Sequence, residues 1–235
     1  DLARFVIEQA KGQLPVFLGT GAMRTPDSLA LAAGAKAMGA DGLLLGTPPY
    51  SVPTERENAL NALAIDTAAD LPIILYNYPG RISVEMGRDF LDIVGQSKNF
   101  IGIKESSGSL QRAIGIATRY AGRIQLVSGS DDIALDFMLW GADSWICGPA
   151  NCMGRAVCDL DRTFRSGDLQ KAKAQMATLY TAMNILESGK FVQKLKYGCE
   201  LQGTPVGECR MPLGPLTDDE KAAFAAAMQP ILNWA

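Results

Sequence analysis

Six short apolar runs punctuate the first two-thirds of the chain, at 14–21, 41–48, 72–79, 100–108, 124–130 and 144–151, each closed by small or polar residues. Runs of four to eight aliphatics bounded by turn formers read as strands buried in a sheet. Their starts lie 27, 31, 28, 24 and 20 residues apart, and the gaps carry apolar residues at helical spacing. Helix starts are signalled by Thr25 before Pro26, by the box Thr54-x-x-Glu57, by Ser109 before Leu110 and by Asp131 before Ile133. Strands alternating with helices imply right-handed crossovers and a parallel sheet, either doubly wound or closed as a (β/α)8 TIM barrel. Polar residues gather at nearly every strand's carboxyl end: Thr20, Thr47, Tyr50, Tyr76, Asn77, Lys104, Glu105, Ser128 to Asp131, and Asn151. In a barrel those ends share one mouth, so the pattern favours the barrel. Gly19-Thr20-Gly21 stops short of a dinucleotide-binding G-x-G-x-x-G and reads as a tight βα turn.

Beyond the sixth run the pattern becomes helical, over 168–187 and 191–201 and again from the box Thr217-x-x-Glu220, with 203–215 as an ordered Gly- and Pro-rich connection. The expected division is 1–160 for six strand–helix units and 161–235 for C-terminal helices that pack on the barrel and form an oligomer surface. A closed barrel needs about eight units. The six visible ones are therefore read as units 3 to 8, with roughly two more, some 55–65 residues, expected before Asp1.

Composition narrows the chemistry. The net charge of −3 supplies no basic stripe for nucleic acid or an anionic membrane, and no apolar run approaches a membrane span. Five cysteines without C-x-x-C spacing read as reduced, mostly buried thiols of a cytoplasmic protein. The chain has no histidine, which removes the commonest general base and the usual zinc ligand. Proton chemistry then falls to Lys, Tyr, Ser, Thr or carboxylates.

One cation breaks the pattern. Phe100-Ile101-Gly102-Ile103 runs directly into Lys104. Burial disfavours an ammonium, lowers its pKa and frees the amine as a nucleophile, the requirement for a Schiff base. The structural alternative is a lysine whose stem packs on the strand end while its head reaches water. Tyr76 ends the preceding strand, and adjacent strands lie about 4.8 Å apart, so a phenol and an amine at matching heights can share one substrate atom.

Gly19-Thr20-Gly21, Tyr76-Asn77-x-Pro79-x-Arg81, Gly102-Ile103-Lys104-Glu105-x-Ser107, Ser128-Gly129-x-Asp131-Asp132 and Arg210-x-Pro212-Leu213-x-Pro215-Leu216, in this order and spacing, resemble the dihydrodipicolinate synthase and N-acetylneuraminate lyase family of class I aldolases. The resemblance implies a homotetrameric (β/α)8 barrel, a dimer of dimers, that joins or cleaves pyruvate or another 2-oxo acid and an aldehyde through a lysine imine, without metal or diffusible cofactor. It implies Lys104 as the imine-forming residue, Tyr76 as the proton-transferring phenol and Tyr50 as a second tyrosine reaching a neighbouring subunit's site. Arg81, Asn77 and Gly129 are implied at the substrate, with Arg81 holding a carboxylate by a bidentate fork. The synthases commonly read Pro-Tyr-Tyr where this chain has Pro48-Pro49-Tyr50. Met23 stands where lysine-inhibited members carry asparagine, and the family's threonine pair is not among these residues. The stretch Lys190-Phe191-Val192-Gln193-x-x-Lys196-x-Gly198 looks more like catabolic members, including pyrroline-4-hydroxy-2-carboxylate deaminases. Two further readings stand beside these: a catalytically inactive barrel used as a binding protein, and a metal-dependent aldolase, which the lack of histidine disfavours.

Overall fold

The computed structural model describes residues 2–234. The first part of the chain alternates helices and strands: α1 (Leu2–Ala10), β1 (Phe17–Gly19), α2 (Thr25–Met38), β2 (Gly42–Gly46), α3 (Glu55–Ala69), β3 (Ile73–Asn77), α4 (Pro79–Ile82), α5 (Arg88–Val94), β4 (Phe100–Glu105), α6 (Leu110–Arg119) and β5 (Gln125–Ser128). A 3-10 turn (Asp131–Ile133), α7 (Ala134–Leu139) and β6 (Ser144–Trp145) follow, then α8 (Ala150–Arg165), α9 (Leu169–Glu187), α10 (Phe191–Leu201) and α11 (Asp218–Leu232).

The strands form one parallel sheet in the order β1-β2-β3-β4-β5-β6. A doubly wound sheet reverses its order at a switch point, whereas here each strand lies beside its predecessor, as in the wall of a barrel. Every strand falls inside its expected run but is shorter. The largest shortfall is at β6, where Asn151 belongs to the first turn of α8 rather than to a strand end. Leu43, Leu45, Ile73, Leu75, Phe100 and Ile103 of the strands are buried, as are Ile65 and Phe90 of the helices, and each such apolar side chain contributes about 1.5–3 kcal/mol. Burial of β4 is incomplete, because Ile101 is 39% exposed.

Helix starts follow the local capping signals at some positions and depart from them at others. Thr54 and Thr217 close full capping boxes with Glu57 and Glu220, and Ser109 and Asp168 cap α6 and α9. Thr25, however, is already helical. Arg24 holds the cap position in extended backbone and pairs with Asp27 at 2.8 Å. Asp131 does not cap either; it opens the 3-10 turn, and its carboxylate engages the Cys147 thiol. Burial first, then that carboxylate, push the thiol of Cys147 up, and burial pushes Cys152 up to about 12. All five cysteines are free, but only Cys152 and Cys199 are fully buried, and Cys158 is exposed.

Packing groups the residues up to Gly129 with Phe137–Ile146, and Ser130–Asp136 with the chain from Cys147 onward. Within the second unit α8 packs against α9 and α10. In this second unit Lys194 is buried and donates from Nζ to the Ile185 carbonyl and the Ser188 hydroxyl, which satisfies acceptors left over at the end of α9. Among the described residues no helix is long and apolar enough to cross a membrane.

Candidate active site

The first unit brings most of the singled-out residues to the carboxyl ends of β3, β4 and β5. Register pairs Tyr76 with Lys104 and Asn77 with Glu105 across β3 and β4, and Glu105 with Ser128 across β4 and β5. Because side chains alternate along a strand, Tyr76 and Lys104 share one face and Asn77 and Glu105 the other.

On the first face, Lys104 Nζ lies 4.2 Å from the centroid of the Tyr76 ring, inside the range in which a cation is drawn to a ring. The Tyr76 and Tyr78 rings follow at 6.0 Å between centroids, tilted by 39°. The Arg81 guanidinium completes the row, 5.7 Å from the centroid of Tyr78. Two phenols are thus bracketed by two cations. The local cause is legible: Tyr76 and Tyr78 are two residues apart in extended chain, and Pro79 then opens the short helix α4 that carries Arg81 back over Tyr78. Lys104 is half-buried rather than deeply buried.

Gly129 closes the site beside Lys104. Its N–H donates to the Glu105 carbonyl at 3.0 Å. A Cβ placed there would overlap Ser106 Oγ and lie 2.8 Å from Lys104 Cγ and 2.9 Å from the Glu105 carbonyl oxygen, so glycine is what lets the chain after β5 approach Ser106 and the lysine stem. The hydroxyls of Thr20, Ser106 and Ser128 are buried without a hydrogen-bond partner. Such groups are uncommon in folded proteins and mark places where a polar guest can be received.

On the opposite face, Asn77 Nδ2 lies 3.0 and 2.9 Å from the two Glu105 carboxylate oxygens, and Asn77 Oδ1 accepts the Met86 N–H at 2.9 Å. Glu105, fully buried, also accepts from the Ser107 N–H at 2.8 Å and from Arg112 Nε at 2.6 Å. Arg112 reaches on to Glu85 at 2.5 Å and to the Met86 carbonyl. Asn77 is thereby engaged by protein partners on both sides of its amide.

Tyr50 stands apart, 88% exposed on the loop after β2 and in left-handed backbone at φ 68°, with Val52 at φ 45°. The loop is anchored by Asn58 donating to Thr47 at 2.9 Å and by Ser51 donating to the Met23 carbonyl at 3.4 Å. Sequence reasoning passed over Tyr78, Arg112 and Ser106. For Tyr78 a signal existed, since it follows Tyr76 at strand period. Arg112 had none, because its partner Glu105 is fixed by where α6 packs. Among the described residues no group of three or more Cys, Asp or Glu is placed to hold a metal ion.

Over 231 residues the chain is 37% identical to the 4-hydroxy-tetrahydrodipicolinate synthase of Geobacter sulfurreducens, covering 97% of this chain and 79% of that protein. A crystal structure of a dihydrodipicolinate synthase from Bacillus anthracis superposes with a TM-score of 0.93 at 28% identity, over 98% of this chain and 79% of that one. The chloride-inhibited dihydrodipicolinate synthase of Acinetobacter baumannii, solved with pyruvate, superposes at 0.90 with 31% identity, over 96% and 78%. The family model for dihydrodipicolinate synthetases matches residues 1–231. On the strength of that match, and of the sequential sheet with lysine and tyrosine at neighbouring strand ends, the chain belongs to the dihydrodipicolinate synthetase family.

Proposed function

We propose that this protein is a Schiff-base lyase of the dihydrodipicolinate synthase type, joining pyruvate to an aldehyde through an imine on Lys104. The observation that carries the reading is Lys104 Nζ held 4.2 Å from the ring of Tyr76 on the adjacent strand. The family match supports it, as does pyruvate in the solved relative from Acinetobacter baumannii. The neutral amine attacks the ketone carbon, and the carbonyl π pair moves to oxygen. Proton transfers, for which the Tyr76 phenol on the adjacent strand is the donor and acceptor, release that oxygen as water and leave the iminium. The iminium draws off electron density when a proton leaves the adjacent carbon, which gives an enamine that adds to the aldehyde carbonyl. Hydrolysis then returns the amine. The protonated imine is the electron sink, so the reading calls for no metal or diffusible cofactor.

Arg81, at the far end of the aromatic row, is placed to hold a carboxylate of the second substrate. The sheet is read as the wall of a (β/α)8-type barrel, and the working form as a homotetramer in which Tyr50 enters a neighbour's site. Its large exposed ring on an anchored loop supports that role. Incubation with pyruvate and borohydride, followed by peptide mass spectrometry, tests the central step. A reduced pyruvyl adduct on Lys104 is expected; no adduct, or one on Lys36 or Lys196, would sink the reading.

A further inference from the structure

We propose that Asn77, Glu105 and Arg112 form a bracket on the outer face of β3 and β4 that positions the Tyr76–Lys104 pair. The inference rests on the function proposed above and moves Asn77 from a substrate ligand to a residue acting through its neighbours. Asn77 directly follows Tyr76 and Glu105 directly follows Lys104, and the two pairs are in register. Whatever fixes Asn77 against Glu105 therefore fixes the backbone on which phenol and amine stand. The main chain adds to the hold, since the Ser106 N–H donates to the Asn77 carbonyl at 2.9 Å.

The chemistry of the bracket is directional. Three donors converge on Glu105, namely the Asn77 amide, the Ser107 N–H and Arg112 Nε, and only a carboxylate offers two acceptor oxygens for all of them. The Asn77 amide can face just one way, because Met86 presents a donor to one side and Glu105 an acceptor to the other. Arg112 neutralises the buried charge and ties it to Glu85 and the Met86 carbonyl. These groups lie on the face opposite Tyr76 and Lys104, so they act through placement and not by touching a substrate.

The test exchanges amide and carboxylate. Asn77→Asp sets carboxylate against carboxylate, and Glu105→Gln replaces one of the two accepting oxygens with a donor that must face the Ser107 N–H or Arg112 Nε, so each single variant opens the bracket. The double variant Asn77→Asp/Glu105→Gln again faces a carboxylate with an amide and strains only one of the remaining donors. For both singles we expect kcat and the rate of borohydride-trappable imine formation to fall about 100-fold, since a displacement of about 1 Å suffices for that, while KM for pyruvate stays within about threefold. The double variant is expected to recover at least about tenfold over the weaker single. Urea midpoints of all forms are measured alongside. Should a single variant not fold, Arg112→Lys, which keeps the charge but loses the fork, carries the same expectation at about tenfold. Singles with parental imine-formation rates, a double variant no faster than the weaker single, or rates that merely follow the urea midpoints would each overturn the bracket. A parent chain that is not trapped at Lys104 at all would instead overturn the function on which the proposal rests.

Discussion

Gly129 shows how much a single missing methyl group decides. Its backbone is not in the left-handed region, so alanine there would meet no conformational penalty. The obstacle is steric: a Cβ would overlap Ser106 Oγ and lie 2.8 Å from Lys104 Cγ and 2.9 Å from the Glu105 carbonyl oxygen, in a segment whose N–H is already bonded to that carbonyl. Something must shift: the Ser106 hydroxyl can turn away, whereas the Lys104 stem and the Glu105 carbonyl move only with β4 itself. Gly129→Ala should therefore lower kcat with pyruvate by about 100-fold, and the overpacking should lower the urea midpoint as well. A steady-state assay with kcat within twofold of the parent would show that the close approach of β5 is dispensable. Serine at 106 belongs to the same scale: its buried hydroxyl has no protein partner, and only a structure could reveal that.

At the scale of elements, the helices that were legible are those whose ends are set by residues close in sequence. Thr54 accepts the Glu57 N–H, and Glu57 returns a bond to the Thr54 N–H; the pair Thr217 and Glu220 repeats the arrangement at α11. Thr54→Ala and Thr217→Ala should each cost about 1 kcal/mol, read as a lower midpoint in urea denaturation with kcat unchanged. An unaltered midpoint for both would mean that packing alone holds these helix starts. The starts that went wrong, Thr25 and Asp131, are those where another contact outcompetes the cap. Arg24 pairs with Asp27 at the first, and Asp131 turns to Cys147 at the second. The short helices α4 and α5 were not foreseen, because four and seven residues are too few to establish a helical period.

At the scale of the molecule, the proposal that Tyr50 serves a neighbouring subunit predicts complementation between two damaged proteins. Tyr50→Ala should lose most of its activity, and Lys104→Ala nearly all of it. A subunit with intact Lys104 could still borrow Tyr50 from a Lys104→Ala partner, so co-expressing or remixing the two variants should restore a measurable fraction of the parental rate. Activity of the mixture no greater than the sum of its parts would place Tyr50 outside the neighbour's site. The exposed ring and the left-handed backbone that presents it are consistent with a residue shaped for contact outside its own chain.

The alternation of strands and helices, the six strand positions and the places of Tyr76 and Lys104 at strand ends were readable from the chain, because periodicity, caps and motif spacing are local properties. Matching heights for Tyr76 and Lys104 could be anticipated from their places at the ends of successive runs. What the sequence could not contain is which side chains meet across it. Asn77 and Glu105 are 28 residues apart and Arg112 lies on a helix beyond them. Their contact exists because parallel register and the packing of α6 bring the three together. The aromatic row through Tyr78, the closure of Gly129 on Lys104 and the assignment of α8 to the C-terminal helices have the same origin. Hydrophobic patterning selects an element and its buried face, whereas the distances between functional groups are set when those faces pack.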